Sequence, residues 1–276
     1  MKKLARFGSG LMVMVCLATQ AVAAAPDVNA GKLEKIIAGE HRAQENKLRD
    51  KYRHPLETLN FFGVRDSMTV VEIYPGGGWY TEILAPFLKD KGTYYATGYD
   101  AESHVDFFKN SVKQFQGKLT ANPELYGKVK ITELSPPKKL QIAPAGSADM
   151  VLTFRNVHNW MSAGTATAVF EAMYRALKPG GILGVVEHRG DPKVSQDPEA
   201  NSGYVNEDHV IKLAQAAGFK LLEKSEINAN LKDTKDYPKG VWTLPPTLVN
   251  GEVDKGRYLA IGESDRMTLK FIKPAK

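Results

Sequence analysis

Cysteine is almost missing from this chain: of 276 residues only Cys16 carries a thiol. It falls within the first two dozen residues, so disulfide frameworks, cysteine-ligated metals and thiol nucleophiles are excluded for all that follows. Histidine is sparse as well. The six, at positions 41, 54, 104, 158, 188 and 209, show no metal-ligand spacing, and no metal is expected. A Gly-x-Ser-x-Gly elbow is lacking, which argues against a hydrolase of that type. Neither Lys-Ser nor Lys-Thr follows the glycine run at 76–78, which excludes a phosphate-binding loop. The formal charge is +6, but the lysines are scattered and form no basic stripe interleaved with aromatics, so no nucleic-acid partner is implied. Internal repeats and low-complexity tracts are absent.

Long apolar runs are also few. The clearest is "LMVMVCLATQAVA" (11–23), which follows Lys2, Lys3 and Arg6 and ends in a small-x-small cleavage pattern at Ala21-Val22-Ala23. It is too short for a stable transmembrane span. Val15 stands where a lipoprotein would need a small residue before its cysteine. Residues 1–23 therefore read as a signal peptide, and the protein as exported, to the periplasm or beyond. Without the three signal cations the mature chain is only mildly basic. It must stand on its hydrophobic core, and about 250 residues suffice for one domain.

The mature sequence opens with Leu33, Ile36, Ile37 and Leu48 at helical spacing, which predicts an N-terminal helical extension over 24–54 that stops near Pro55. A short helix is expected over "LETLNFFGV". The main unit, 55–276, then alternates apolar strands with helices. Strands are expected at 68–74, 93–99, 128–134, 148–154, 182–188, 219–227 and 267–274. Helices are expected over "TEILAPFLKD", "ESHVDFFKNSVKQF", "GTATAVFEAMYRAL" and "NEDHVIKLAQAAG", the last with Asn206 as N-cap and Gly218 at its end. This rhythm predicts an α/β fold: a doubly wound, mostly parallel, seven-stranded Rossmann-like sheet covered on both faces. The last strand has no helix before it and is expected to run antiparallel. The loop 228–266 is much longer than an ordinary connection and reads as a lid or a substrate wall.

Ligands in such sheets bind beyond the carboxyl ends of the strands. There the segment "VVEIYPGGGWYTE" places three glycines between a strand and a helix, where backbone amides can approach a ligand closely. The dinucleotide pattern Gly-x-Gly-x-x-Gly fits Gly76 and Gly78 but meets Thr81, and Glu72 suits a cationic ligand better than a pyrophosphate.

The segment resembles the first motif of class I S-adenosylmethionine-dependent methyltransferases, acid-x-Gly-x-Gly-x-Gly. "GSADMVLTFRNVHNW" and "ALKPGGILGVVEH" resemble the segments around that family's fourth and fifth strands. More narrowly, "PGGGWYTE" and "GESDRMTLKF" look like those of an exported group of predicted methyltransferases. The resemblance covers roughly 55–228 and 267–274. It implies S-adenosylmethionine as cofactor, Glu72 near its methionine moiety, and Gly76, Gly77 and Gly78 beneath it. Tyr74 and Pro75 take the places of the first glycine and its neighbour, which narrows the pocket. Gly98 stands at the usual ribose-acid position, with Asp100 two residues later as its substitute. Arg155 and Asn156 complete the implied cofactor-binding set.

Four segments, 76–80, 98–100, 155–160 and 187–189, meet on one rim of such a sheet. Methyl transfer needs alignment of donor and acceptor and, for a hydroxyl or ammonium acceptor, a base. His158 is the first candidate base, His188 the second, and Tyr80 the third catalytic candidate. Trp79, Tyr80 and Trp160 read either as an aromatic wall for a cation or as packing. Arg155 and Arg189 read as anchors for a carboxylate or phosphate, or as partners of Glu187 or Asp191. His158, His188 and Glu187 form at most a chance cluster, and "GESDRM" (262–267) reads as a salt-bridged brace. The sequence thus predicts methyl transfer to a small molecule outside the cytoplasm. The alternative is a non-catalytic binding protein that keeps the fold.

Overall fold

In the computed structural model, residues 28–275 are described together with Met1, and the signal-peptide reading of 1–23 lies outside them. The chain forms strands β1 (Thr69–Ile73), β2 (Thr93–Gly98), β3 (Lys130–Glu133), β4 (Ala148–Phe154), β5 (Leu177–His188), β6 (Lys220–Ser225) and β7 (Arg266–Ile272), with β-branched and aromatic residues densest in β1 and β2. They make one seven-stranded sheet in the order β3-β2-β1-β4-β5-β7-β6. The pairs among β1 to β5 are parallel, and β7 lies antiparallel between β5 and β6. This is the fold expected from the sequence. β5 starts earlier than the expected 182, because Leu177 already pairs with Ala148 before the register shifts to Met150 against Ile182.

Helices α1 (Val28–Ala38), α2 (Gln44–Lys47), α3 (Asp50–Arg53), α4 (Pro55–Phe62), α5 (Thr81–Leu88), α6 (Asp106–Ala121) and α7 (Pro123–Tyr126) precede β4. α8 (Val157–Ser162), α9 (Ala166–Ala176), α10 (Glu207–Ala216) and α11 (Lys255–Ile261) follow it. Leu33, Leu59, Phe62, Ile83 and Phe87 bury one face of the sheet, and Trp160, Phe170, Met173, Val210 and Phe271 the other. Gly184 lets the two layers meet: a Cβ there would lie 2.7 Å from Leu152 and 2.9 Å from the Phe62 ring. None of the described helices is long and apolar enough to cross a membrane.

The N-terminal extension differs from a single helix. α1 ends at Ala38, just before Gly39, and the chain folds back as Arg42 donates to both carboxylate oxygens of Asp50 (2.6 and 2.9 Å) and to Ile37 O (3.0 Å). Trp79 then clamps the returning segment. Its Nε1 donates to Asn46 O (3.1 Å), and the Arg42 and Arg53 guanidiniums lie 5.0 and 4.7 Å from its ring. The long loop is not bare either. It holds a 3₁₀ turn at Gly240–Thr243 and α11, and Tyr237, Val241, Leu244 and Tyr258 pack with Tyr204 into a small core of their own. Asn206 does precede α10, but its Nδ2 donates to Val194 O (2.8 Å) rather than serving the helix.

Candidate functional site

The strand order reverses between β1 and β4, which is where an open α/β sheet places its ligand crevice. A cavity of about 270 Å³ lies there. Its walls are Glu72, Tyr74 to Gly77, Trp79 and Tyr80 of the β1–α5 turn, Tyr99 after β2, Phe154 to Asn156 after β4, and Asn46, Arg49 and Arg53 from the extension. The extension therefore forms part of the site, which sequence reasoning missed. Arg49 and Arg53 are four residues apart, a spacing that puts two side chains on one helical face, and that was the available signal.

Two of the three glycines face this space. A Cβ on Gly76, whose φ is +57°, or on Gly77 would meet nothing within 4 Å. Their N–H groups donate to no acceptor among the described residues. Gly78 serves another purpose. A Cβ there would sit 3.0 Å from Lys118 Cδ, and its N–H donates to Pro75 O (2.9 Å), so it permits the approach of α6 and does not border the cavity. The expectation that Gly78 joins the cofactor floor is corrected accordingly.

Glu72, next to last in β1, has its side chain buried, its Oε2 accepting from Tyr94 OH and, at 3.5 Å, from Thr81 Oγ1. Burial raises its pKa from the ordinary 4.5 to about 7, against the opposing pull of those hydrogen bonds and of Arg155. The folded state thus holds a proton that the unfolded chain releases near pH 4.5. The stability this contributes is complete below pH 4.5 and is lost as pH rises through about 7, on the order of 3 kcal/mol. Glu72→Gln is expected to flatten the fall in Tm between pH 5 and 7, as read by thermal melts across that range. An unchanged pH profile would remove this assignment.

Tyr74, at the position of the missing first glycine, adopts a left-handed φ of +48°. Its ring stacks on Tyr99 (centroids 4.3 Å apart), Tyr99 stacks on Phe108 (4.4 Å), and Tyr74 OH donates to Leu134 O (2.7 Å). Beyond this stack, towards α6, only about 40 Å³ remains. By the usual allowance that is space for about three waters. Tyr74, Pro75, Gly76 and Tyr99 border both spaces, so the rings are the partition. Asp100 is turned to Lys139 Nζ (2.7 Å) and accepts from Glu102 N (2.9 Å), and the lysine holds its carboxyl below the usual range. It does not border either space.

Arg155 sits in a left-handed turn (φ +60°) and borders the cavity, with its guanidinium making no hydrogen bond or ion pair among the described residues. Asn156 beside it is tied to the sheet through Nδ2 to Ile73 O (2.9 Å). Tyr80 also borders the cavity, stacked on Phe154 (3.6 Å). Burial pushes its phenol up to about 12, so near neutrality it is a hydrogen-bond donor and not a base.

The two histidines stand apart from this wall. His158 Nδ1 pairs with Glu187 Oε1 (3.0 Å), and His188 N donates to the same oxygen (2.7 Å). Glu187 Oε2 accepts from Val157 N (2.5 Å), which leaves the carboxylate saturated by this network. His188 Nδ1 meets Ser264 Oγ (2.5 Å), and burial, then His158, lowers its pKa well below the ordinary value. Trp242, from the long loop, lies edge-on to His158 at 6.2 Å. Ligand atoms of His158, Glu187 and His188 lie within 4.8 Å of one another, but Arg155, Arg53 and Arg266 supply positive charge at this spot, which opposes a cation. Trp160 packs edge-on against Phe170 in the core. Arg189 pairs with Asp265 (2.9 Å) and Glu226 (2.6 Å), not with Glu187 or Asp191. Glu263 and Asp265 of "GESDRM" do act as a brace, Glu263 against Arg49 (2.5 Å) and Arg266.

No protein-family model matches the chain, and no curated protein sequence is similar to it at a significant level. Solved structures are similar in fold. One is an S-adenosylmethionine-dependent methyltransferase from Aquifex aeolicus: TM-score 0.55, 16% identity, covering 88% of this chain and 98% of that one. The [4+2]-cyclase SpnF has TM-score 0.56 at 14% identity, over 90% of this chain and 94% of its own. A phosphoethanolamine N-methyltransferase 2 from Haemonchus contortus, in complex with phosphomonomethylethanolamine and S-adenosylhomocysteine, has TM-score 0.54 at 15% identity. That match covers 90% of this chain and 59% of the other. The shared feature is the fold, and a fold supports more than one chemistry.

Proposed function

We propose that the cavity over Gly76 and Gly77 is the site of S-adenosylmethionine-dependent methyl transfer to a small molecule, carried out after export. The observation that carries this reading is the pair of free N–H groups at Gly76 and Gly77, facing open space beside the buried carboxyl of Glu72. The methionine half of the cofactor fits those residues. The nucleoside half fits only when the Tyr74 ring leaves Tyr99, since the stack fills the space between the ends of β1 and β2. When bound, the cofactor would supply a methyl group activated on a sulfonium centre. Gly76 and Gly77 would hold it through their free N–H groups, and Glu72 contributes a carboxyl that is half ionised near pH 7. Tyr80 and Trp79 wall the space against water, and such alignment supplies most of what an in-line displacement asks of a protein.

A second reading, a non-catalytic binding protein in the same fold, is favoured by the ring stack itself and by the engagement of Asp100 with Lys139. Export rests on residues 1–23 alone. One experiment addresses both: protein recovered from the periplasm should begin at Ala24 on N-terminal sequencing, and calorimetry on it should show saturable binding of S-adenosylhomocysteine. Absence of binding at millimolar ligand would favour the second reading, and a retained leader would remove the export assignment.

A further inference from the structure

The cavity carries an imbalance of charge that the proposed cofactor does not relieve. Arg49, Arg53 and Arg155 border it, and Arg266 stands behind them. The carboxylate this group shares is Glu263. Its Oε1 accepts from Arg49 Nε (2.5 Å), and its Oε2 takes Arg266 and lies 3.5 Å from Arg53 Nε. Burial works to raise the Glu263 pKa, but Arg266, Arg49 and Arg53 together hold it down at about 2, so it is fully ionised and fully used. Arg53 is buried to 4% exposure yet makes no hydrogen bond among the described residues, and Arg155 has neither hydrogen bond nor ion pair. Burial, then repulsion from Arg266, brings Arg155 down to about 10. The other acid on the wall, Glu72, is half protonated near pH 7.

The remaining groups facing this space are mostly donors: the Gly76 and Gly77 amides and the Tyr80 hydroxyl, none with a protein acceptor among the described residues. A buried guanidinium without a hydrogen-bond acceptor, as at Arg53, is costly, and the half-buried Arg155 beside it offers a planar donor fork that matches the oxygens of a carboxylate or a phosphate. S-Adenosylmethionine carries one carboxylate against two cationic centres, so binding it leaves the excess in place.

We propose that this cavity recognises a small oxyanion, the carboxylate or phosphate of the methyl acceptor, with Arg155 as its principal anchor and Arg53 and Arg49 behind it. Naming the acceptor class in this way rests on the methyl-transfer reading, whereas the anion site itself does not. It also gives the extension a role: two of its arginines set which acceptors are taken. Arg155 takes up a left-handed backbone conformation where it borders the cavity, the kind of local strain that clusters at ligand sites.

The test is thermal melting and calorimetry of the purified protein with inorganic phosphate and, separately, acetate, against chloride at equal ionic strength. One of the two is expected to raise Tm by about 5 °C near a hundredfold excess over its Kd, and which one does so distinguishes phosphate from carboxylate. Arg155→Gln should abolish that shift. Since burial and repulsion from Arg266 outweigh the attraction of Arg155 to Glu263, this variant should melt no lower than the wild type in chloride. If it fails to fold, Arg49→Gln is read in its place, where a weakened shift supports the site and an undiminished one contradicts it. No shift in the wild type with either anion would overturn the proposal. So would joint loss of anion and S-adenosylhomocysteine binding in Arg155→Gln, which would make Arg155 a cofactor ligand. If S-adenosylhomocysteine fails to bind the wild type but the Arg155-dependent shift remains, the methyl-transfer reading falls and the anion site stands.

Discussion

Gly76→Val is expected to weaken S-adenosylhomocysteine binding by at least about 100-fold, or about 2.8 kcal/mol, by calorimetry. The reason is steric and local. Open space lies above Gly76, and a branched side chain would fill the place where the backbone must approach its ligand. The variant also carries strain, because φ is +57° and a β-branched residue in the left-handed region costs about 1–2 kcal/mol. Gly78→Val separates the two effects. It bears similar strain at φ +79°, but its side chain would press on Lys118 and Phe115 instead of entering the cavity. It should therefore lower Tm while leaving affinity nearly intact. Equal affinity losses at both positions would mean that strain alone explains Gly76→Val, and the amide floor would lose its support.

Tyr74→Gly should act in the opposite direction and raise affinity for the same compound by about tenfold, some 1.4 kcal/mol. Three contributions point the same way. The substitution restores the residue that a left-handed φ of +48° favours, removes a ring that must otherwise leave Tyr99, and joins the spaces of about 270 and 40 Å³ on either side of it. Against them stand the lost hydrogen bond to Leu134 O and the lost ring packing, which should appear as a lower Tm of the free protein. Weaker binding in Tyr74→Gly would show that the ring belongs to the binding wall. The crevice would then be built for a ligand other than a nucleoside, and the binding-protein reading would gain accordingly.

Most of the scaffold was legible because its determinants are local in sequence. Runs such as "MTVVEIY" and "ADMVLTF" are continuous and apolar, which only a sheet buried on both faces requires, and they became β1 and β4. The glycine turn was legible for the same reason. The break at Gly39 was harder to read, because Leu33, Ile36, Ile37 and Leu48 remain compatible with one helix until the Arg42–Asp50 pair folds the chain back.

The chemistry of the site depends on contacts that periodicity does not carry. Arg189 finds Glu226 and Asp265, which lie 37 and 76 residues away, although Glu187 and Asp191 are its near neighbours. Helical spacing suggests that Arg49 and Arg53 share a face, but only the fold brings that face against the turn after β1. The histidines show the converse. His158 and His188 follow adjacent strands as expected, yet the carboxylate of Glu187 binds their segments into a network beside the cavity. Clustered titratable groups arise from structure as well as from catalysis.

The most direct measurement is a crystal structure of the protein grown with S-adenosylhomocysteine. The compound's amino-acid portion is expected over the Gly76 and Gly77 amides beside Glu72, with the Tyr74 ring turned away from Tyr99. Crystals grown at saturating compound in which Tyr74 remains stacked on Tyr99 and the cavity holds no nucleoside would contradict it.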